Sequence, residues 1–337
     1  MKRVTQKDIA EQLSLSVTAV SKALKNSSDI SAETKQQVFE IAQRLGYQSF
    51  EKINNINKKN ILFFLPFDRP YKPLGETSAY FYISAILSEF KDLDYQILIL
   101  PNSTADDIDY IERMNDLYKP SAVVFTDTIV RDPRVLYCLE KDITVITQGQ
   151  SDIYSQYFSI DFNESQWVID TTEFFFSKGC KDPLLILPCL PMSSLEHRYN
   201  SFILQVKKHG LKFSHDNNIF YWEDSTSLGE LQEFLTNREN YPDAVILDSE
   251  YMVMQYHKLL IEDKNRAMPF MASTTNVIDL ALMLNIDCFY CWQNFWEVGK
   301  QVAKTLHYAL TTDKKEWKPQ HHVEPMVYFN PYIYNQL

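Results

Sequence analysis

Short polar side chains recur near the N-terminus at a spacing suited to contacting phosphates and base edges. Short hydroxyl and amide groups can hydrogen-bond phosphate oxygens, and a lysine can donate to guanine or to phosphate. A valine or a threonine methyl can touch the methyl group of thymine. The residues that present these groups, and that we expect to contact DNA, are Thr5, Ser16, Val17, Thr18, Ser21, Lys22 and Asn26.

The elements that must position these groups are three predicted helices. Thr5 and Asp8 form a capping box before a helix over 6–13, Ser16 caps a helix over 17–24, and Ser31 caps a helix over 32–45. The short turn between the first two helices is typical of a helix-turn-helix unit, whose second helix enters the major groove. Residues 1–47 are therefore predicted to be an all-α DNA-binding domain. The alternative is a three-helix unit that binds protein.

The charge distribution favours the DNA-binding interpretation. Residues 1–60 carry ten Lys/Arg and six Asp/Glu, whereas the remaining residues carry 23 Lys/Arg and 38 Asp/Glu, for a net charge of −11 over 337 residues. A small basic head on a large acidic body is expected when only the head meets phosphate. The balance excludes a protein that coats nucleic acid over its whole surface.

The run VTQKDIAEQLSLSVTAVSKALKNSSDISAETKQQVFEIAQRLGYQ resembles the head of the LacI/GalR (lactose-repressor/galactose-repressor) family of bacterial transcription regulators. It departs from the family pattern at Ser14, where Gly is usual, at Ala19, where Thr is usual, and at Lys22, where Arg is usual. Lysine is a point donor and arginine a planar fork, so the last difference weakens a bidentate contact with guanine.

Residues 48–60 (QSFEKINNINKKN) are predicted to be a polar linker. The resemblance implies a short hinge helix here that inserts an apolar wedge into the minor groove. Ile53 and Ile56 are the candidate wedges, but Asn54, Asn55 and Asn57 beside them disfavour a helix. We expect a degenerate hinge.

Residues 61–337 alternate short apolar strands with amphipathic helices, which predicts βαβ units around parallel sheets. Two such series indicate two lobes, and the resemblance implies a periplasmic-binding-protein-like α/β body. We place the N-terminal lobe at about 61–162 plus 293–320 and the C-terminal lobe at about 163–290 plus 321–337. The cleft between them, at the carboxyl ends of the strands, is the expected ligand site.

Arg198 matches the arginine with which the family grips its effector. Asp161, Ser249 and Asn276 fall at cleft positions by the same resemblance, although Asn276 lacks the usual carboxylate. Aromatic residues near strand ends are candidates for stacking on a ligand ring. The full set of predicted effector contacts is Phe67, Asp161, Arg198, Trp222, Ser249, Asn276 and Trp292. The structural alternatives are a salt bridge between the lobes for Arg198 and core packing for the aromatic residues.

The sequence gives little support for a metal site, a cofactor, an enzymatic activity or contact with a membrane. Cys288 and Cys291 form a lone CxxC with no second pair at zinc spacing. His321-His322 beside Glu324 could ligate a metal, but their position near a lobe crossing favours a packed or surface role, so no metal site and no cofactor are predicted. No GxGxxG, Walker or GxSxG motif occurs, which argues against an enzyme. No apolar run is long enough to cross a bilayer and the start is too polar for a signal peptide, so we expect a cytoplasmic protein that does not contact membranes.

The sequence thus predicts a ligand-responsive transcription regulator that binds operator DNA as a homodimer, because one small head buries too little surface for specific affinity. A sugar or related small metabolite in the cleft would change operator affinity. The main alternative is a small-molecule sensor whose head no longer reads DNA, and an α/β enzyme is a third, weaker one.

Overall fold

The computed structural model describes residues 4–24, 27, 29–45, 47, 59–66, 76–102, 107–153, 157–224, 226–238, 240–262, 268–275, 288–318, 321–324 and 327–329. The chain divides into two units, Met1–Lys59 and Asn60–Leu337. Of the predicted contacts, Asn26, Ile53, Ile56, Phe67 and Asn276 lie outside the described residues.

The first unit is a three-helix head made of α1 (Gln6–Leu13), α2 (Val17–Leu24) and α3 (Ala32–Arg44). Small and branched apolar residues from all three helices form its core: Ile9, Ala10, Val20, Ala23, Val38 and Ala42. Asp8 Oδ2 accepts a hydrogen bond from the backbone amide of Thr5 at 2.6 Å, which starts α1 as the capping pattern predicts. Ser14 ends that helix in the left-handed conformation, with φ of 55°.

The second unit contains two six-stranded sheets. The elements of its first half are β1 (Lys59–Leu65), α4 (Glu76–Glu89), β2 (Tyr95–Pro101), α5 (Ile108–Tyr118), β3 (Ala122–Phe125), α6 (Pro133–Glu140), β4 (Thr144–Gln148) and β5 (Phe158–Phe162). Those of its second half are α7 (Glu164–Ser177), β6 (Pro183–Pro188), α8 (Ser193–Lys208), α9 (His215–Asn218), β7 (Ile219–Trp222), α10 (Ser227–Thr236), β8 (Ala244–Leu247), α11 (Glu250–Glu262), β9 (Phe270–Thr275), β10 (Cys288–Trp292), α12 (Phe295–Thr311), β11 (His321–Glu324) and β12 (Val327–Phe329).

The strand orders are β11-β5-β4-β3-β1-β2 in the first sheet and β12-β10-β9-β8-β6-β7 in the second. Parallel pairing dominates, and the short β12 runs antiparallel to β10. Helices cover both faces of each sheet, so the central strands are apolar throughout. In β1, for example, Ile61 and Phe63 belong to one core and Leu62 and Phe64 to the other. The predicted α/β class with two parallel-sheet lobes is confirmed.

The chain crosses between the sheets after β5, after β10 and between β11 and β12. The last crossing corrects the predicted lobe boundary, which assigned all of 321–337 to the C-terminal lobe. His321–Glu324 instead pairs in parallel with β5 of the first sheet, in a register that sets His321 opposite Ser159. Val327–Phe329 then pairs with β10 in the second sheet. The lobe boundary is decided by which strand β11 pairs with, and the local sequence does not encode that choice.

Helices α4 and α12 pack closely against each other in the first lobe. A Cβ built on Gly299 would lie 2.5 Å from the carbonyl oxygen of Tyr82 and 2.9 Å from the Cβ of Ala85. Only glycine allows the two helices to approach this closely, which fixes α12, the helix that follows the second crossing. Among the described residues, no helix is long and apolar enough to cross a membrane.

Candidate functional site

A cavity of about 540 Å³ lies between the two lobes of the second unit. Its first wall comes from the ends of β1, β3, β4 and β5, and its second wall from the ends of β6, β8, β9 and β10. These are the carboxyl ends of the parallel strands, where open α/β sheets bind ligands because loops and helix N-termini converge there. Leu65, Phe162, Leu195 and Phe295 supply apolar surface around a polar floor.

Arg198 is the central cation of this floor. It stands on α8 and is only 4% exposed. Its Nε donates to Glu164 Oε2 at 2.6 Å, its Nη1 donates to Asp248 Oδ1, and its guanidinium carbon lies 4.8 Å from the ring centre of Trp167. Burial by itself lowers the pKa of a guanidinium, but the charges of Glu164 and Asp248 outweigh that effect and raise it. Among the described residues, its Nη2 makes no hydrogen bond.

The predicted alternative for Arg198, a salt bridge between lobes, is not what the structure shows. Glu164 begins α7 and Asp248 follows β8, so both carboxylates belong to the same lobe as α8. The link to the crossing segments comes through Glu164, whose Oε1 accepts a hydrogen bond from Gln293 Nε2 at 3.1 Å. The ion-pair network therefore connects the cavity floor to the two crossings that follow β5 and β10.

Asp161 lies on the opposite wall, at the end of β5, and is 3% exposed. Its carboxylate accepts from the backbone amides of Phe162 at 2.8 Å and Gln150 at 3.2 Å. Burial, reinforced by the nearby charge of Glu164, raises the pKa of Asp161 to about 7, against an ordinary value of 3.8. The two backbone hydrogen bonds and Arg198 act in the opposite direction but are weaker. This carboxyl group can exist in either protonation state near neutral pH.

The two lobes touch along one edge of the cavity. The backbone amide of Ser193, at the start of α8, donates to the carbonyl oxygen of Thr128 at 2.9 Å, and its hydroxyl group is 3.1 Å from the same oxygen. Thr128 follows β3 in the first lobe, and both residues are 1% exposed. Gly149 packs against Thr128 at this edge, and its φ of 106° and a built Cβ 2.3 Å from Thr128 Oγ1 leave no room for a side chain.

The structure brings together three of the residues predicted to contact the effector: Asp161, Arg198 and Ser249 all line the cavity. Trp222 does not reach it. Its indole is 1% exposed and packs edge-on to Tyr251, with ring centres 6.0 Å apart, inside the core of the second lobe. The stacking role predicted for Trp222 is therefore wrong, because the pleat of β7 turns that side chain into the core. Trp292 is half-buried outside the cavity lining.

Sequence reasoning missed several residues of the cavity. Glu164, Asp248 and Gln293 hold Arg198 in place, and Thr128 and Ser193 join the lobes. The one available signal was position, because each of them lies beside a predicted strand end or helix start. Among the described residues, no three His, Cys, Asp or Glu side chains are grouped so as to hold a metal ion.

In the head, the predicted DNA contacts lie on the outside. Thr5, Ser16, Thr18 and Lys22 are exposed, as is Val17, at 46% exposure, and Ser21 is half-buried. Ser16 Oγ accepts from the amide of Ala19 at 3.0 Å, so it also caps α2. The core takes Val20 and Ala23 from the opposite side of α2. Val17, on the first turn of α2, is not part of the core of the head.

The chain thus combines a helix-turn-helix head with a two-lobed α/β unit that has a cavity between its lobes. Residues 5–49 match the family model described as "Bacterial regulatory proteins, lacI family". The head of the chain therefore matches the DNA-binding module of the lacI family. Its curated relatives are named as transcriptional repressors and regulators, a class of proteins that are not enzymes.

Three known proteins illustrate the similarity. The chain is 22% identical over 262 residues to the "Probable HTH-type transcriptional repressor ExuR" of Bacillus subtilis, covering 74% of each chain. It superposes on the lac repressor dimer bound to operator and the anti-inducer ONPF with a TM-score of 0.67 at 15% identity, covering 97% of this chain and 98% of that one. A transcriptional regulator CelR–cellobiose complex gives a TM-score of 0.67 at 14% identity, with the same coverage. The structural likenesses show that the fold is shared.

Proposed function

We propose that this protein is a homodimeric, sequence-specific DNA-binding regulator whose operator affinity responds to a small uncharged, hydroxyl-rich molecule, a sugar or a close relative, bound in the cavity between the lobes. The observation that carries the DNA-binding part is the outer face of α2, where Val17 and Thr18 are exposed. A protein that must reach operator DNA works in the cytoplasm. The lac repressor structure, a dimer on its operator, supports the same assembly for this chain.

The cavity supports a polyhydroxyl ligand. Carboxylates, an arginine and amide groups offer acceptors and donors for hydroxyl groups, and aromatic and aliphatic walls cover the apolar faces of a sugar ring. Arg198, Asp161 and Ser249 are the proposed contacts. The neighbouring CelR structure holds cellobiose, which supports the same chemical class here.

The charge of the cavity argues against an acidic ligand. The described lining contains five carboxylates, and its single guanidinium is already paired with two of them. A ligand carboxylate or phosphate would meet this negative field inside a partly desolvated site, where like charges repel strongly. We therefore expect neutral saccharides to bind and sugar acids and sugar phosphates to fail.

Dimerisation is supported by apolar residues left exposed on consecutive elements of the first lobe. Leu87 on α4 is 50% exposed, and Ile99 on the edge strand β2 is 40% exposed. Sedimentation velocity should show a dimer that Leu87→Glu dissociates, while Leu204→Glu on α8, where the leucine is 67% exposed, leaves it intact. Equal behaviour of the two variants would contradict this interface.

The DNA-binding test uses the full chain and an operator selected in vitro from a random duplex library. Fluorescence anisotropy should give an affinity that falls steeply with salt, because lysine and arginine contacts release counterions. Thr18→Ala should reduce the preference for the selected sequence, and Gln36→Ala on α3 should not. A wild-type chain that enriches no sequence and shows no salt-sensitive binding would refute the proposal and favour the sensor whose head no longer reads DNA.

The effector test measures thermal stability with a panel of neutral monosaccharides and disaccharides, sugar acids and sugar phosphates. A ligand raises the midpoint of unfolding when it binds only the folded state. The stabilising sugar should then change operator affinity, since it can act only through different affinities for two lobe arrangements. Stabilisation by a sugar acid, with none by any neutral sugar, would contradict the proposed ligand class.

A further inference from the structure

Helix α2, which the proposed function places on DNA, carries one charged side chain, and that charge is paired with a carboxylate. Within Val17–Leu24, Lys22 is the single ionisable residue. Its Nζ lies 2.8 Å from Asp29 Oδ2, and the side chains are 50% and 62% exposed. Asp29 lies in the turn region between α2 and α3, seven residues further along the chain. The hydrogen bond and positive charge of Lys22 hold the pKa of Asp29 below its usual value, so the Asp29 carboxylate is ionised near neutral pH.

This pairing matters for how the head meets DNA. A lysine that contacts phosphate adds a sequence-independent attraction and contributes about 0.9 to the slope of log affinity against log salt. With Asp29 beside it, α2 presents almost no net charge to the duplex. Its remaining outer groups, Val17 and Thr18, recognise base edges and add no such attraction.

We infer that Asp29 is a specificity-determining residue that competes with DNA for Lys22 and so suppresses binding to non-operator sequences. The inference rests on the proposed function, because it takes α2 to be the DNA-reading helix. On random DNA, α2 is not seated against base edges, and Lys22 stays with Asp29. On the operator, α2 lies in the major groove and keeps Lys22 next to a phosphate or a guanine. That DNA group then replaces Asp29 as the partner of Lys22. Asp29 therefore lowers non-specific affinity more than operator affinity.

The experiment compares Asp29→Asn with Glu40→Gln in the full-length protein. Glu40 is an exposed carboxylate of α3 that accepts from Gln36 Nε2 at 3.2 Å, so both variants raise the head's charge by one but only the first releases Lys22. The probes are a 30-base-pair duplex of random sequence and the selected operator, each titrated by anisotropy between 50 and 200 mM KCl. A third variant, Lys22→Ala with Asp29→Asn, closes a double-mutant cycle with Lys22→Ala.

For Asp29→Asn we expect about a two- to fivefold gain in affinity for the random duplex per bound head, in line with the strength of exposed ion pairs. The salt slope on that duplex should steepen by up to about 0.9 per head, and the gain on the operator should be smaller. In the Lys22→Ala background, Asp29→Asn should have no effect.

Two results would overturn the inference while leaving the proposed function standing. One is an equal gain from Glu40→Gln, which would show a general charge effect. The other is a gain from Asp29→Asn that persists without Lys22. Absence of salt-sensitive binding by the wild-type chain to either duplex is a distinct outcome, and it would overturn both the inference and the proposed function.

Discussion

Replacing the buried carboxyl group of Asp161 should change how the stability of the larger unit depends on pH. In the folded protein its pKa is about 7, mainly because of burial, whereas an ordinary aspartate titrates near 3.8. Between these values the folded chain holds a proton that the unfolded chain has released. The free energy of unfolding must therefore decrease as pH rises from about 4 to about 7, by at most about 1.4 kcal/mol per pH unit.

The whole effect corresponds to about 4 kcal/mol, present at acidic pH and lost by about pH 7. Asp161→Asn removes this titration. It also places an amide nitrogen against one of the two backbone amides, of Phe162 and Gln150, that the carboxylate accepts from. That loss costs about 1–3 kcal/mol and does not depend on pH. The variant should be clearly less stable than the wild type at pH 5 and close to it, or more stable, at pH 8.

Urea unfolding followed by tryptophan fluorescence measures this directly, because all five tryptophans lie beyond the head, at or after residue 167. Titrations from pH 4.5 to 8 are compared for wild type, Asp161→Asn and Asp92→Asn, the last removing an exposed carboxylate of the same unit. The other titratable groups are the same in the three proteins, so their contribution to the pH dependence cancels when the free energies of unfolding are subtracted. Parallel pH profiles for wild type and Asp161→Asn would refute the reasoning.

Three further substitutions test the packing, the ion network and the helix end. Gly299→Ala should lower the free energy of unfolding by about 1–3 kcal/mol, because the new methyl group would lie 2.5 Å from the carbonyl oxygen of Tyr82. Gly229→Ala, with open space around it, is the control. Equal urea midpoints for the two variants would contradict the close packing. Arg198→Met should cost about 3–5 kcal/mol in the same assay, since it leaves two buried carboxylates without their cation, and an unchanged midpoint would show that they are not ionised. Ser14→Gly should stabilise the head by up to about 1 kcal/mol, because φ is 55° there; slower hydrogen exchange of α1 amides would show it, and faster exchange would count against it.

The sequence alone was sufficient where local chemistry decides the structure. Capping residues and helical spacing predicted the first and last residues of α1 and α2 as they are observed. The strands β3, β8 and β10 also begin and end where the apolar runs do. Strands buried on both faces are continuous apolar runs, which stand out against polar turns. The family resemblance likewise depended on closely spaced residues of the head.

The tertiary structure decided which side chains meet. The partners of Arg198 lie 34 and 50 residues away in the chain, and no local pattern joins Glu164 and Asp248 to it. Trp222 shows the same limit of sequence reasoning. Successive side chains of a strand point to opposite faces, so a shift of one residue decides whether an aromatic residue at a strand end faces the cavity or the core. Strand pairing decided the place of β11. Such contacts depend on how elements that are distant in the sequence pack together and on the register of their strands. Local sequence patterns predict the elements but not this arrangement.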